Sequence, residues 1–525
     1  MGEKCDHQQQ HQQFQYRDGT LFCEELSLID LAEQLRNSGC LHESEAPEDV
    51  TDLVFEEDLS PPTHEGCPPL DQESLESGRA ADCPDSRQSS ASFRAPCTPF
   101  FVYSRAQIVE NVRAYQRALS ASGFRATLNY SVKANGNPHL LKVISSLGCG
   151  ATAVSGNEIR LALLSGFEPR RILLNGNGKR RDEIAFAVAR GCSLNVDSLF
   201  DARRIGDVAS SVTGPAPRVP VLVRVNPDVD PSVHPYVATG LASSKFGVSR
   251  GPSFDALLDA VRTNPRLELC GLHCHLGSTV RDLGAFRAAV AFVARTATEL
   301  RSGGAFPALR VLNFGGGLDI DYRRDGTSAA PSPDELVAAV RDELRLSWQG
   351  APEDVEVVLE PGRSIVGDAA VLVTEVLGVK SARDKEFLVV DAAMTDVMRP
   401  SLYGAHHHAQ LVQDPPGEPS YAIFDVVGPV CESADFLARD RRLPRPDLAP
   451  GPGGARPQPP QPPLLLALFD VGAYCSSMAS NYNARTRAAE LLVSGARWRV
   501  VRRADSFRDL VTPFSGLQGC GGLRS

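Results

Sequence analysis

The chemistry-bearing residues of this chain are few and widely spaced. Lys133 stands in Tyr130-Ser131-Val132-Lys133-Ala134-Asn135, after an apolar run. A partly desolvated amine in that setting can form a Schiff base with a carbonyl; the alternative is a surface lysine that merely follows a strand. Gly315-Gly316-Gly317 lets backbone N–H groups approach an anion, although three glycines alone are a weak signal. Together with Lys133 and Glu360-Pro361-Gly362-Arg363, they point to a cofactor carrying both an aldehyde and a phosphate, as pyridoxal phosphate does. A carboxylate at Glu360 would keep a pyridine nitrogen protonated, so that the ring accepts electrons from a carbanion; the alternative is a rim ion pair with Arg363. His275, in His273-Cys274-His275, could stack on such a ring or be a satisfied core histidine. No third ligand follows at a recognisable spacing, so no metal is expected. His406-His407-His408 looks like a metal tract but is read as solvated surface. Cys431, in Gly428-Pro429-Val430-Cys431-Glu432-Ser433-Ala434-Asp435, sits among carboxylates that disfavour a thiolate. It suits proton donation better than nucleophilic attack, with a buried structural thiol as the alternative.

Those residues need a scaffold. Apolar runs at 127–133, 150–154, 171–175, 193–197, 220–225, 268–275, 309–314 and 355–360 read as strands. Helix-like segments lie between most of them, at 139–148, 157–166, 182–190, 199–209, 253–264, 283–301 and 333–347. Eight such alternations predict an α/β fold, a (β/α)8 barrel, with an open doubly wound sheet as the runner-up. Barrel chemistry collects at the C-terminal strand ends, and phosphate sites commonly follow strands seven and eight. Lys133 closes the first strand, His275 and Ser278 follow the sixth, the glycines the seventh and Glu360 the eighth.

From residue 366 the short Val/Leu/Phe-rich runs predict a β domain. The expected division is a tail at 1–15, an N-terminal element at 16–35 joining the β domain, and an acidic disordered insertion at 36–97. The barrel then spans 98–365 and the β domain 366–515, with a Pro-rich loop at 441–463 and a tail at 516–525.

Of the 525 residues 42% are hydrophobic, enough for a large core, and no stretch is long and apolar enough to span a bilayer. Lys and Arg total 54 against 64 Asp and Glu, a net charge of −10 that argues against nucleic-acid or membrane-surface partners. The excess acid lies within 36–96. Thirteen scattered cysteines without CxxC pairs read as reduced thiols. The N-terminus shows no clear transit peptide, so the expected location is soluble and intracellular, in plastid or cytoplasm.

Ten segments in register, among them YSVKAN, LNGNGK, LHCHLGST, NFGGGLDIDY, LEPGR, RPSLYGA, DVVGPVCESADF and GAYCSSMASNYN, closely resemble the diaminopimelate decarboxylases, fold-type III pyridoxal-phosphate enzymes, most closely the plant form. The resemblance covers about 16–35 and 98–515. It implies Lys133 as the Schiff-base lysine, His275 as the ring-stacking residue and Glu360 as the partner of the pyridine nitrogen. It further implies Ser278, Gly315, Gly316, Gly317, Glu360, Pro361, Gly362, Arg363 and Tyr474 as cofactor contacts. Arg363, Arg399 and Tyr403 match positions that grip a distal carboxylate, with Tyr474 alongside. Glu432 matches the residue near the distal amino group, and Cys431 the general acid. The family's Cys431-bearing segment comes from the partner subunit, which implies a homodimer with shared sites.

The implied reaction is decarboxylation of meso-2,6-diaminopimelate, a small amino acid, to lysine. Ornithine- or arginine-type decarboxylation is the alternative, but Arg399 would repel a cationic tail. Charge-assisted bonds to a carboxylate contribute roughly 1.5–3 kcal/mol each. A non-catalytic regulator on this fold should lack Lys133, Cys431 or the glycines, and all are present. A racemase would need a second acid/base on the opposite face, and the segment around Cys431 fits decarboxylation better. Asp319 stands where the family more often has Gly, which raises a question about local backbone geometry.

Overall fold

In the computed structural model eight parallel strands close on themselves, excluding the open-sheet alternative. They are Arg125–Ser131, Gly150–Ala153, Ile172–Leu174, Ser193–Val196, Val219–Arg224, Leu267–His273, Val311–Asn313 and Glu356–Leu359. Closure comes from the last strand pairing with the first, Glu356 opposite Arg125 and Leu359 opposite Leu128. Residues 13–38, 98–446 and 463–514 are described, apart from 213, 215–217, 231–232, 234–238, 241–243, 325–328 and 416. Most of the expected tails, acidic insertion and Pro-rich loop therefore lie outside the described residues, but Phe14 and Gln15 of the first tail already belong to the strand Phe14–Arg17, and Arg36 to Ser38 of the insertion end the helix Leu28–Ser38.

The strands form where they do because both faces are covered. Side chains of one face fill the barrel and those of the other meet the helices, so the sequence runs apolar without alternation. The helices start where a side-chain oxygen satisfies a first-turn N–H. Asn137, Ser155, Ser198 and Ser332 cap the helices Pro138–Ser146, Gly156–Leu164, Leu199–Ser211 and Pro333–Ser347. One helix not anticipated, Arg105–Ala121, precedes the first strand and is capped by Ser104.

The second layer is a nine-stranded mixed sheet containing Ala370–Ala382, Lys385–Val390, Tyr421–Val427, Phe436–Pro444, Leu465–Phe469 and Ala489–Ser494. At its centre lies Phe100–Ser104, antiparallel to 370–373 and parallel to Ala489–Ser494. The span expected for the barrel thus begins with a strand of the other sheet. Alternation along Phe100–Ser104 explains its five buried residues. Phe101 and Tyr103 join the core shared with the barrel. Phe100 and Val102 join a second core with Leu21, Leu28, Leu31 and Leu35. That second core is roofed by the N-terminal strands Phe14–Arg17 and Thr20–Cys23 and the helix Leu28–Ser38. Among the described residues no helix is long and apolar enough to cross a membrane.

A buried carboxylate fastens the N-terminal element. Glu24 accepts hydrogen bonds from Ser104 Oγ at 2.7 Å and Ala106 N at 2.9 Å through Oε1, and from Gly495 N through Oε2. Glu24→Ala strands three donors and is expected to cost about 2–4 kcal/mol, with Glu24→Gln costing less because one acceptor survives. The thermal midpoint of the two variants measures this; an unchanged midpoint for Glu24→Ala would refute the fastening role.

Candidate active site

The turn bearing Lys133 is held from two sides. The first barrel strand ends at Ser131, and Lys133 lies on the 3-10 turn Val132–Ala134 between two buried neighbours. On the barrel side, Ser131 Oγ donates to the Glu360 carbonyl at 2.8 Å, and Ser131 N to the Pro361 carbonyl at 3.1 Å. Gly362 permits this approach, because a Cβ there would lie 2.9 Å from the Ala134 Cβ. On the sheet side, Asn135 Nδ2 donates to Tyr103 Oη at 3.0 Å and to the Gly472 carbonyl at 3.1 Å. Tyr474 N donates to the Ala134 carbonyl at 2.8 Å. The Lys133 side chain, expected to be partly desolvated, is exposed toward an open cavity of about 680 Å3. That volume falls in the range of roughly 300–1,000 Å3 typical of small-molecule sites.

Glu360 closes the floor of that cavity. Its Oε1 accepts from Asn313 Nδ2 at 2.7 Å, and Oε2 lies 3.2 Å from His273 Nε2. Burial alone would push its carboxyl up; the facing His273 and the hydrogen bonds from His273 and Asn313 outweigh burial and hold it below the usual carboxylate range. His275 lines the cavity, and Gly316 N donates to its Nδ1 at 3.2 Å, so its proton sits on Nε2. Burial, with Lys133 and Arg224 nearby, keeps the ring neutral by holding its pKa well below the ordinary value.

The glycines fit backbone against backbone. A Cβ on Gly316 would lie 2.1 Å from the Glu360 carbonyl oxygen, and one on Gly317 2.2 Å from that of Gly277. Gly317, at φ +114, adopts a conformation that other residues rarely reach. Asp319 needs no such backbone. It receives Arg281 Nε on Oδ2 at 2.6 Å, which answers the question raised by its departure from glycine.

On the opposite wall stand two buried arginines. Arg363 donates from Nη2 to Ser278 Oγ at 2.9 Å and from Nη1 to Tyr322 Oη. Arg399 lies with its Cζ 4.7 Å from the Tyr322 ring centroid. Tyr403, at the end of the short helix Arg399–Tyr403, and Tyr474 complete the wall. Seven Lys and Arg side chains line the cavity against a single carboxylate, Glu360, so it favours anionic occupants.

Lys133, His275, Ser278, Glu360, Arg363, Arg399, Tyr403 and Tyr474 all line this one cavity. Gly315, Gly316, Gly317, Pro361 and Gly362 support it from behind. Cys431 and Glu432 do not line it: both are exposed, and Cys431 N donates to Asn483 Oδ1 at 2.7 Å. The solvated-surface reading of the histidine run fails at His407, which is fully buried. Sequence reasoning also missed Tyr322, whose only signal was its place shortly after the three glycines, and the lining residues Arg224 and Arg281.

These residues fit pyridoxal phosphate. An amine and a buried, ionised carboxylate share one cavity, a glycine cradle leaves no room for a Cβ, and the lining is cationic enough for a phosphate.

Comparison with known proteins agrees. Residues 105–367 match the family described as "Pyridoxal-dependent decarboxylase, pyridoxal binding domain". The chain is 44% identical over 437 residues to a probable chloroplastic diaminopimelate decarboxylase of Oryza sativa, covering 83% of each. It is 41% identical over 414 residues to the diaminopimelate decarboxylase of Archaeoglobus fulgidus, covering 79% of this chain and 92% of the relative. Among solved structures, that of Helicobacter pylori diaminopimelate decarboxylase complexed with L-lysine superposes with a TM-score of 0.69 at 34% identity, covering 79% of this chain and 96% of the other.

Gly316→Ala forces the Glu360–Pro361 backbone away from the cradle. Overpacking of this kind costs about 1–3 kcal/mol, so affinity for the cofactor should fall about ten- to a hundred-fold. Titration of the cofactor-free protein followed by absorbance measures it; unaltered affinity would show that the cradle is not needed.

Proposed function

The chain belongs to the diaminopimelate decarboxylases, within the pyridoxal-dependent decarboxylase family, and on that footing we propose how its residues divide the work. It is a pyridoxal-phosphate-dependent carboxy-lyase that converts meso-2,6-diaminopimelate to L-lysine and CO2. The observation that carries the assignment of roles is the convergence of Lys133, Glu360, Arg363, Arg399 and Tyr403 on one cavity.

Bound in this cavity, pyridoxal phosphate supplies an aldehyde that condenses with amines and a ring that withdraws electrons from the carbon losing CO2. Lys133 is the residue that would hold the aldehyde. Glu360, ionised and fixed by Asn313 and His273, keeps the proton on the pyridine nitrogen. Neutral His275 would face the ring without adding a charge that opposes electron withdrawal. Ser278, the Glu360–Arg363 turn and Tyr474 would receive the phosphate and ring, with the Gly315–Gly317 segment shaping that end of the cavity from behind.

Arg399, Tyr403 and Arg363 bind the distal carboxylate and so orient the other end of the substrate over the ring. Two buried guanidiniums repel the ammonium or guanidinium tail of ornithine or arginine, which opposes the alternative substrates. Cys431 delivers a proton to the carbon that has lost CO2, and Glu432 receives the distal amino group. Their exposure outside this chain's own cavity supports a homodimer in which each subunit lends that segment to the other. The chloroplastic description of the rice relative supports a plastid location over the cytoplasm.

CO2 release should be rapid from meso-diaminopimelate and slow from ornithine or arginine; preference for either of the latter overturns the role of Arg399. Lys133→Ala should lose the visible absorbance of the bound cofactor. Cys431→Ala should keep that absorbance and lose turnover by about a hundred-fold or more. Mixing the two inactive variants should restore about a quarter of normal activity, because random reassembly gives mixed dimers with one intact shared site. No recovery after proven subunit exchange would contradict sharing.

A further inference from the structure

His407 is the middle residue of the histidine run and has no role in the chemistry above. Its ring is fully buried between the two layers of the fold. Nδ1 lies 2.9 Å from the Phe469 carbonyl oxygen, and Nε2 lies 2.9 Å from Arg399 Nη1. A carbonyl only accepts and a guanidinium only donates, so the proton must sit on Nδ1 and the lone pair on Nε2. The Tyr322 ring meets the imidazole edge-on at 5.3 Å and also lies beneath Arg399. Burial and the adjacent Arg399 push the His407 pKa down to about 3, so the ring stays neutral.

That neutrality matters. Buried arginines are usually held by carboxylates, and a carboxylate here would cancel the charge that Arg399 presents to the cavity. A neutral acceptor fixes the guanidinium plane and leaves its full charge available.

We propose that His407 is a positioning residue that fixes Arg399 as an uncompensated cation facing the substrate's distal carboxylate, and so sets the preference for a dicarboxylate. The proposal rests on the substrate reading given above. Phe469, at the end of the strand Leu465–Phe469, supplies the carbonyl that locks the tautomer.

Three substitutions separate orientation from charge. His407→Gln keeps a neutral acceptor and an N–H donor, and KM for meso-diaminopimelate should stay within about threefold. His407→Leu removes the acceptor and should raise KM about tenfold with kcat within about threefold. His407→Glu keeps an acceptor but neutralises Arg399, and should raise KM more than the leucine variant does. Absorbance of the bound cofactor should be unchanged in all three. Calorimetric binding of pimelate, a seven-carbon dicarboxylate without amino groups, should weaken in the same order and needs no turnover.

Equal KM and equal pimelate affinity for the glutamine and leucine variants would overturn the proposal, as would a fall in kcat at constant KM. Should the leucine or glutamate variant fail to fold, a threefold-or-smaller change in His407→Gln still supports the proposal, and a tenfold rise in that variant overturns it. A wild-type enzyme that prefers ornithine overturns the substrate reading instead, and pimelate affinity then judges His407 alone.

Discussion

Everything in this molecule depends on one turn being clamped between two folds. Barrels routinely place reactive groups at the C-terminal ends of their strands, but a lysine on an unsupported turn would be free to wander. Here the polar groups around Lys133 are engaged from the barrel by Glu360 and Pro361 and from the mixed sheet by Tyr103, Gly472 and Tyr474. Asn135 is the joint, and glycine at 362 lets the two segments touch. The mixed sheet is therefore part of the catalytic scaffold as well as a neighbour of the barrel.

The cavity itself is organised by charge. Its lining is strongly cationic, and Glu360 is the one carboxylate in it. Three of the cations are answered from behind the lining: Lys179 bonds Asp201 at 2.7 Å, Arg281 bonds Asp319 at 2.6 Å, and Arg224 faces Asp197 at 3.9 Å. Arg363 is held by hydroxyl groups and Arg399 by an imidazole, neither of which cancels charge. The distinction separates cations that shape the wall from those proposed to bind substrate. His275 in the cavity and His407 behind Arg399 are both kept neutral by burial beside cations, and each has a ring nitrogen whose partner dictates the tautomer.

Much of this could be read from residue order. All eight barrel strands lie within a few residues of their expected positions, because strands buried on both faces run continuously apolar and their helices carry polar caps. Lys133, Glu360 and Arg363 stood out because a charged residue just past the end of such a run is conspicuous, whereas Arg399 was reached only through the resemblance of its segment to the family. Other features left no local trace. Phe100–Ser104 looks like any buried strand, and nothing in four apolar residues and a serine says which sheet they enter. His407 carries the same letter as its partly exposed neighbour His406, and only the packing of Phe469 and Tyr322 separates them. Tyr322 is invisible for the same reason: its value lies in what two distant arginines do around it.

The central strand of the mixed sheet has a consequence for how the chain assembles. Phe100–Ser104 is translated before the whole barrel, yet its pairing partners at 370–373 and Ala489–Ser494 come after it. Contacts so far apart in sequence form late, since loop closure must precede any gain from pairing. While the ribosome completes the chain, a five-residue, largely apolar ribbon with unpaired backbone edges must wait beside a finished or nearly finished barrel. Such a segment is prone to stray association until its partner strands arrive.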